Sequence, residues 1–381
     1  MKEKTLKFLI LLFLVTFSIF AVACTTVTPI PEDSSNESSS NSDSEGSLPN
    51  NEPTEGVIYS VDETGEFAVV TGYEGSETDI VIAKMYKGVF VKSIGEKAFY
   101  NCTSLTSVVM PDCVTTIGDG AFHNCQSLTS IVIPKGVTTI GDKAFRGCIS
   151  LEEIEIPFVG ASKEATGYEA VFGYIFGYYS NSIMTQHATQ SGTSTYQYRI
   201  STSFYYYYIP SSLTKVTITG GNIPRNAFYN CDRLTSVVFP DGMTSIGASA
   251  CYNCDRLTSV VIPDSVTSID SSAFSDCDSL TSVIISDNVT SIGSSAFAYC
   301  DSLTSIVISD SVTSIGSLAF DDCESLASVY YKGNVNKWNT ISVGPNNANL
   351  TSATICYYVE TEPTEEGNFW HYAENGEIVV W

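Results

Sequence analysis

Cysteine recurs every 23 residues in this chain: Cys102, Cys125 and Cys148 are spaced this way, and so are Cys231, Cys254, Cys277, Cys300 and Cys323. Around them runs one nearly constant unit, I-G-x-x-A-F-x-x-C-x-S-L-T-S-V-x-I-P-x-x-V-T-x, seen as IGDGAFHNCQSLTSIVIPKGVTT at 117–139 and IGSSAFAYCDSLTSIVISDSVTS at 292–314. A fixed period of this size confines the chain to a stack of similar coils. One unit buries about six apolar side chains at about 2 kcal/mol each. Ordering its backbone costs more than that. No unit stands alone, and each needs a neighbour to share its interior.

The unit reads residue by residue. Leu128, Ile131 and Ile133 have L-x-x-L-x-L spacing, which places a short strand on one side of each coil. Pro134 has no N–H to donate and ends it. Val137 and Ile140 turn a second apolar pair inward, and Gly141 suits a tight corner. Ala144, Phe145 and Cys148 predict one turn of helix or 3-10 on the opposite, convex side. Counted by first leucine, the strands start at Leu105, Leu128, Leu151, Leu213, Leu234, Leu257, Leu280, Leu303 and Leu326. The interval from Leu151 to Leu213 is 62 residues, so one coil is enlarged. Ala170 and Phe172 keep the A-F position in it, which places the excess after them. Glu153 and Lys215 then fall side by side on adjacent strands.

The fold class is a leucine-rich-repeat solenoid, α/β and β-rich, of about nine 23-residue coils with a parallel concave sheet, one enlarged coil and a cap at each end. The repeat resembles the BspA-like (Treponema pallidum-type) leucine-rich repeats of bacterial surface proteins over about 94–157 and 213–332. The resemblance implies a right-handed curved solenoid, surface display, and adhesion to host or matrix proteins or to other bacteria. It carries no catalytic residue over to this chain.

The flanks give an address. Lys2, Lys4 and Lys7 precede an apolar run from Phe8 to Val22, too short to span a membrane and suited to a signal-peptide core. Ala-Val-Ala-Cys at its end resembles the bacterial lipobox, although Ala21 stands where Leu, Val or Ile is usual. Residues 1–23 are therefore expected to be a lipoprotein signal peptide and Cys24 the lipidation site, with simple cleavage and secretion as the alternative. Residues 24–56 read as a disordered Ser/Thr/Asn/Glu/Pro tether. Residues 57–93 alternate and read as an N-terminal cap, 158–212 as a Tyr-rich insertion within a repeat, and 333–381 as a C-terminal cap. In that cap, Asn375-Gly376 signals a two-residue hairpin that would bring Trp370 and Trp381 to the last core layer.

Net charge is −24, from 42 acidic and 18 basic side chains, which opposes binding of nucleic-acid phosphate. The repeat cysteines read as one inward row of inert thiols. Cys251-Tyr-Asn-Cys254 is a register accident, because Cys251 replaces the Phe of the A-F pair. His123 occupies a variable slot and is expected to be exposed, and neither it, His187 nor His371 belongs to a Ser/His/Asp set. No catalytic residue, metal site or cofactor is expected. Two Asp rows, Asp112, Asp241, Asp264, Asp287 and Asp310, and Asp232, Asp255, Asp278 and Asp301, read as solvated edges. The best partner surface is the outward row of the concave sheet: Val109, Val132, Val238, Val261, Ile284, Val307 and Tyr330, bordered by serines. Tyr174, Tyr178, Tyr179, Tyr205 and Tyr206 are candidate contacts on the insertion. The expected function is a lipid-anchored surface protein binding a protein or glycan on a host or bacterial surface. The alternatives are a passive envelope spacer and, less favoured, an enzyme using the insertion.

Overall fold

The computed structural model describes residues 52–180, 193–200 and 203–381. The leader with Cys24, the tether as far as residue 51, and His187 lie outside the described residues. Alternation along each L-x-x-L-x-L run turns one side chain in and the next out, and the inward ones merge into one continuous core from Ala68 to Leu350. Short strands follow one another along one side at 79–81, 107–109, 130–132, 153–156, 215–218, 236–238, 259–261, 282–284, 305–308, 328–331 and 354–358. They pair in three groups, 79–109, 130–238 and 259–358, each parallel without slippage, as in Ser259–Ser282–Ser305–Ser328–Thr354. The solenoid therefore has about eleven turns where nine leucines are counted. The two extra turns carry Glu77 and Ser352 at the leucine position, so the repeat pattern does not show them.

Across the enlarged coil the register holds. Glu153 pairs with Lys215, and Lys215 Nζ lies 3.1 Å from Glu153 Oε2. Two threonines per coil add a side-chain ladder: Thr281 Oγ1 donates to Thr258 O at 3.3 Å, and Thr290 Oγ1 to Thr267 O at 3.2 Å. The next corner is a row of two-residue strands, such as Ser268–Ile269 and Ser291–Ile292. The glycine that follows answers to close approach between coils. A Cβ on Gly141 would meet Asp119 N at 2.4 Å, and one on Gly316 would meet Ser294 N at 2.4 Å.

The convex side is not helical. Each coil makes two successive turns with a left-handed residue before the Ala and another before the Cys, as at Ser272 (φ 57°) and Asp276 (φ 57°). This alternation aims every second N–H at the next coil: Ser272 N donates to Ser294 O, Phe274 N to Ala296 O, and Asp276 N to Ala298 O, at 2.8–2.9 Å. The convex backbone thus has an inter-coil ladder of its own. The left-handed slot before Cys holds Asn101, Asn124, Asn230 and Asn253, residue types that tolerate it, but in one coil it holds Tyr299 at φ 59°. Tyr299 is 45% exposed, so little packing opposes a change. Tyr299→Asn is expected to stabilise the chain by about 1 kcal/mol, read as a higher urea midpoint with unchanged slope.

In the enlarged coil two segments share the A-F role. Phe145 N donates to Ile175 O, so Ile175-Phe176 serves the preceding coil. Phe172 N donates to Ala227 O, so Phe172 serves the following one. Both rings lie in the 3-10 turn Phe172–Phe176, with centroids 5.3 Å apart. Ala170 is buried beside them and does not form the pair with Phe172 that the sequence suggested. The chain then leaves the solenoid as a three-stranded antiparallel sheet, Tyr178–Ser180, Ser203–Ile209 and Thr193–Ile200, with Ser203–Ile209 central. It returns at Pro210, which takes the cysteine place: Leu213 N donates to Pro210 O as Leu151 N does to Cys148 O.

At the N-terminal end, Val57–Val61 runs antiparallel to Ala68–Tyr73, which continues the two-residue row through Val89–Ile94. At the other end, Leu350 and the partly buried Trp338 close the core. Trp370 does not seal that layer. The strand Phe369–Tyr372 extends the concave sheet, and Trp370 turns onto its outward face against Val307 and Cys356. Its hairpin partner is Ile378–Val380. Ala373 N donates to Glu377 O and extends the ladder by one pair, which leaves a three-residue loop, 374–376, with Gly376 N donating to Ala373 O. Gly376 at φ 84° makes this a turn followed by a bulge in place of the expected two-residue turn.

Candidate functional site

The outward row of the concave sheet divides into two parts. Val109 is 40% exposed, and Val132, Val238, Val261 and Ile284 are partly exposed. Ser259 and Ser282 beside them are exposed. Toward the C-terminus Trp370, 0% exposed, covers the row. Val307 is only 2% exposed beneath it and out of a partner's reach. Tyr330 meets the Trp370 ring edge-on at 5.6 Å. Trp370 Nε1 donates to Tyr331 O at 3.1 Å, so the indole is anchored as well as packed. Nothing in the repeat pattern marks Trp370 for this position.

The two Asp rows line the edges of this sheet. On the row after the cysteines, burial raises the Asp255 carboxyl above its usual range, and the neighbouring Asp278 and Asp232 raise it further. Asp278 is raised in the same way by burial, Asp301 and Asp276. A carboxyl whose folded pKa is raised holds its proton more tightly in the folded chain. Its contribution is favourable below the unfolded Asp value of about 3.9 and is lost as pH rises through the folded value. Asp255→Asn with Asp278→Asn is therefore expected to raise stability at pH 7 and to leave it unchanged near pH 3. Urea titrations across that range, compared between variant and parent, check it.

A family model described as BspA type leucine-rich repeat region, in six copies, matches residues 92–219 and 221–343, more than half of the chain. The chain belongs to the BspA-type leucine-rich repeat family. No curated protein matches it. Among solved structures it is similar to a leucine-rich cell surface protein from Faecalibacterium prausnitzii, at 25% identity over 76% of this chain and 96% of that one, with a TM-score of 0.36. It is also similar to a leucine-rich repeat protein from Bacteroides ovatus, at 21% identity over 80% and 70%, TM-score 0.41. A third is the T. pallidum leucine-rich repeat protein, at 22% identity over 72% and 90%, TM-score 0.30. Proteins of the BspA-type family are typically bacterial surface proteins, and leucine-rich repeats generally mediate protein interactions.

The BspA-type solenoid is typically a non-enzymatic fold. Of the ladder cysteines, Cys125, Cys148, Cys231, Cys254, Cys277, Cys300 and Cys323 are at most 2% exposed, while Cys102, in the first of these coils, is only partly buried. The thiols of Cys125, Cys148, Cys254, Cys277, Cys300 and Cys323 bond to a carbonyl one coil back: Cys300 Sγ donates to Phe274 O at 3.1 Å and Cys323 Sγ to Phe297 O at 3.0 Å. Burial pushes the Cys148 and Cys323 thiols up to about 12 and those of Cys254, Cys277 and Cys300 well above their usual value, so none is a thiolate nucleophile at neutral pH. Cys113 packs off the ladder with its Sγ 3.4 Å from Val91 O, and Cys356 lies under Trp370. His123 is half-buried, edge-on to Tyr100 at 5.0 Å, not exposed as its variable slot suggested. Among the described residues no three His, Cys, Asp or Glu side chains are grouped to hold a metal, and no helix is long and apolar enough to cross a membrane.

The insertion tyrosines differ in role. Tyr174 sits half-buried against the core, and burial raises its hydroxyl pKa. Tyr178, Tyr179, Tyr205 and Tyr206 lie on paired strands, with Tyr179 opposite Tyr206. Tyr207, 0% exposed, ties the insertion down by donating its hydroxyl to Tyr168 O at 2.9 Å. Two small hollows flank this coil. One is lined by Ile209, Pro210 and Cys231, the other by Phe158, Lys163 and Pro224.

Proposed function

We propose that this chain is a lipid-anchored bacterial surface protein, adhesin-like, that binds a protein or glycan of a host or bacterial surface through its concave sheet. The observation that carries this reading is the uncovered outward row from Val109 to Ile284, apolar except at Glu155 and Thr217 and bordered by serines except at the Glu153–Lys215 ion pair. Side chains that point out of a sheet contribute little to the core, so this row can contact a partner without unfolding the coils. Val132→Glu with Val261→Glu is expected to reduce capture of host-matrix or bacterial-surface partners about tenfold, the cost of desolvating a charge in an apolar contact, while the thermal midpoint stays near the parent's. Unchanged capture would remove the concave face as the site. No partner on any such surface would favour a passive spacer.

The anchor belongs to the same proposal. Acyl chains on Cys24 would hold the protein at a bilayer. Cys24→Ala is expected to move it from the membrane fraction to the medium. Retention of the variant in the membrane fraction would overturn this part of the reading.

A further inference from the structure

The uncovered part of the concave face differs along its length. Between Ser236 and Ile284 its apolar row, Val238, Val261 and Ile284, has aspartates along both edges, with Arg233 and Arg256 following Asp232 and Asp255 on one of them. Asp255 is partly exposed and Asp278 exposed on one edge, which the exposed Asp301 continues into the next coil, and Asp241 and Asp264 are exposed on the other. Residues 213–331 hold thirteen acidic side chains against four basic ones. The chain itself shows what the second edge accepts. Its closing segment sets Lys332 Nζ 2.8 Å from Asp287 Oδ1 and Lys337 Nζ 2.6 Å from Asp310 Oδ2, one lysine on each of two consecutive coils of the row. Asp264 and Asp241 stand at the same place in the two coils before these.

We infer that the partner seated on the coils from Ser236 to Ile284 is a cationic protein surface, with lysine or arginine side chains on the two Asp edges and an apolar centre on the Val238–Val261–Ile284 row. This rests on the concave face being the docking face, as proposed above. Successive coils repeat at about 4.8 Å, and lysines one turn apart on a helix lie at about 5–6 Å, so consecutive carboxylates can each take one ammonium. Burial raises both carboxyls of Asp255 and Asp278, and repulsion along the row, from Asp278 on Asp255 and from Asp301 on Asp278, adds to it; that repulsion is relieved when cations arrive. An anionic glycan would meet the opposite balance and be repelled.

The test uses the full chain and short poly-L-lysine as probe. Asp255→Asn, Asp278→Asn and Asp301→Asn together are compared with Asp270→Asn, Asp321→Asn and Asp322→Asn, which remove the same charge from the convex side. The first set is expected to weaken binding about tenfold and the second less than about twofold. Equal effects would mean general charge attraction and would overturn the inference. A native partner captured by the concave face is then tested with the first set. Loss of binding supports the inference. Binding indifferent to that set overturns it and leaves the docking face in place, whereas no partner at all overturns the docking face itself.

Discussion

Phe297→Ala is expected to destabilise the solenoid by about 3–5 kcal/mol, one of the largest single-residue effects in the chain. Phe297 is 0% exposed and lies in a file of rings, with its centroid 5.4 Å from Phe274 on one side and 5.4 Å from Phe320 on the other. The planes are nearly parallel, at 7° and 13°, because coils of equal length repeat the same rotamer. Truncation removes two ring contacts and leaves a hole that the ladder bonds on both sides prevent from collapsing: Phe297 N still donates to Ala319 O, and Phe297 O still accepts the Cys323 thiol. Urea unfolding checks the magnitude. A loss below about 1 kcal/mol would mean that the coils close over the gap.

The chain contains a compensated version of this hole. Cys251 stands in the ring file between Phe228 and Phe274. Just after the preceding strand Phe239 replaces the usual Ile, is buried, and reaches Phe274 at 6.3 Å with the rings at 63°. The larger residue there fills what the smaller file residue leaves. Ile285 stands to Phe297 as Phe239 stands to Cys251. Adding Ile285→Phe to Phe297→Cys is therefore expected to recover about 1 kcal/mol or more of the loss, as a coupling energy in a double-mutant cycle. Additive losses would show that Phe239 does not serve this purpose.

These packing relations also mark how far the sequence is legible. Inward rows, strand register and the buried thiols can be read from the repeat, because each coil restates the same environment and a conflict would be visible as a break in pattern. The 62-residue interval hides a continuous register because strand pairing depends on the two flanking coils, and Glu153 beside Lys215 shows it. The convex turns escape because an A-F-x-x-C spacing suits a helical turn equally well. The contrary signal is the column of Asn, Asp, Ser and Gly in the left-handed slots, and Lys97, Lys143, Tyr299 and Leu318 obscure it. The split of Phe172 and Phe176 between two coils cannot be told from spacing, since the segment offers more apolar residues than one coil requires. Of the candidate face, the outward row is legible from alternation alone. Its covering by Trp370 is not, because the hairpin that brings the indole there lies outside the period.

Trp370→Ala follows from that covering. The indole is buried among Val307, Cys356 and Tyr330, with Tyr358 at 5.1 Å and Tyr372 at 4.9 Å, both edge-on. Its removal is expected to cost the hairpin about 3–5 kcal/mol. The loss should stay local. Phe369–Tyr372 joins the sheet only through its pairing with Thr354–Tyr358, and the coils before it keep their own core. Amides at 369–380 should therefore exchange faster by a factor matching most of that energy, while amides at 282–308 remain protected. The concave row would at the same time lengthen, as Val307 and Tyr330 lose their cover. A dye that binds apolar surface should bind more strongly, and a partner that reads the row should gain contact area. Trp381→Ala is the control: Trp381 is 42% exposed and stacks only on His371 at 4.3 Å, so its loss should leave both readings near the parent's. Unchanged exchange in 369–380 after Trp370→Ala would mean that backbone pairing alone holds the hairpin and that the indole does not set the boundary of the open face.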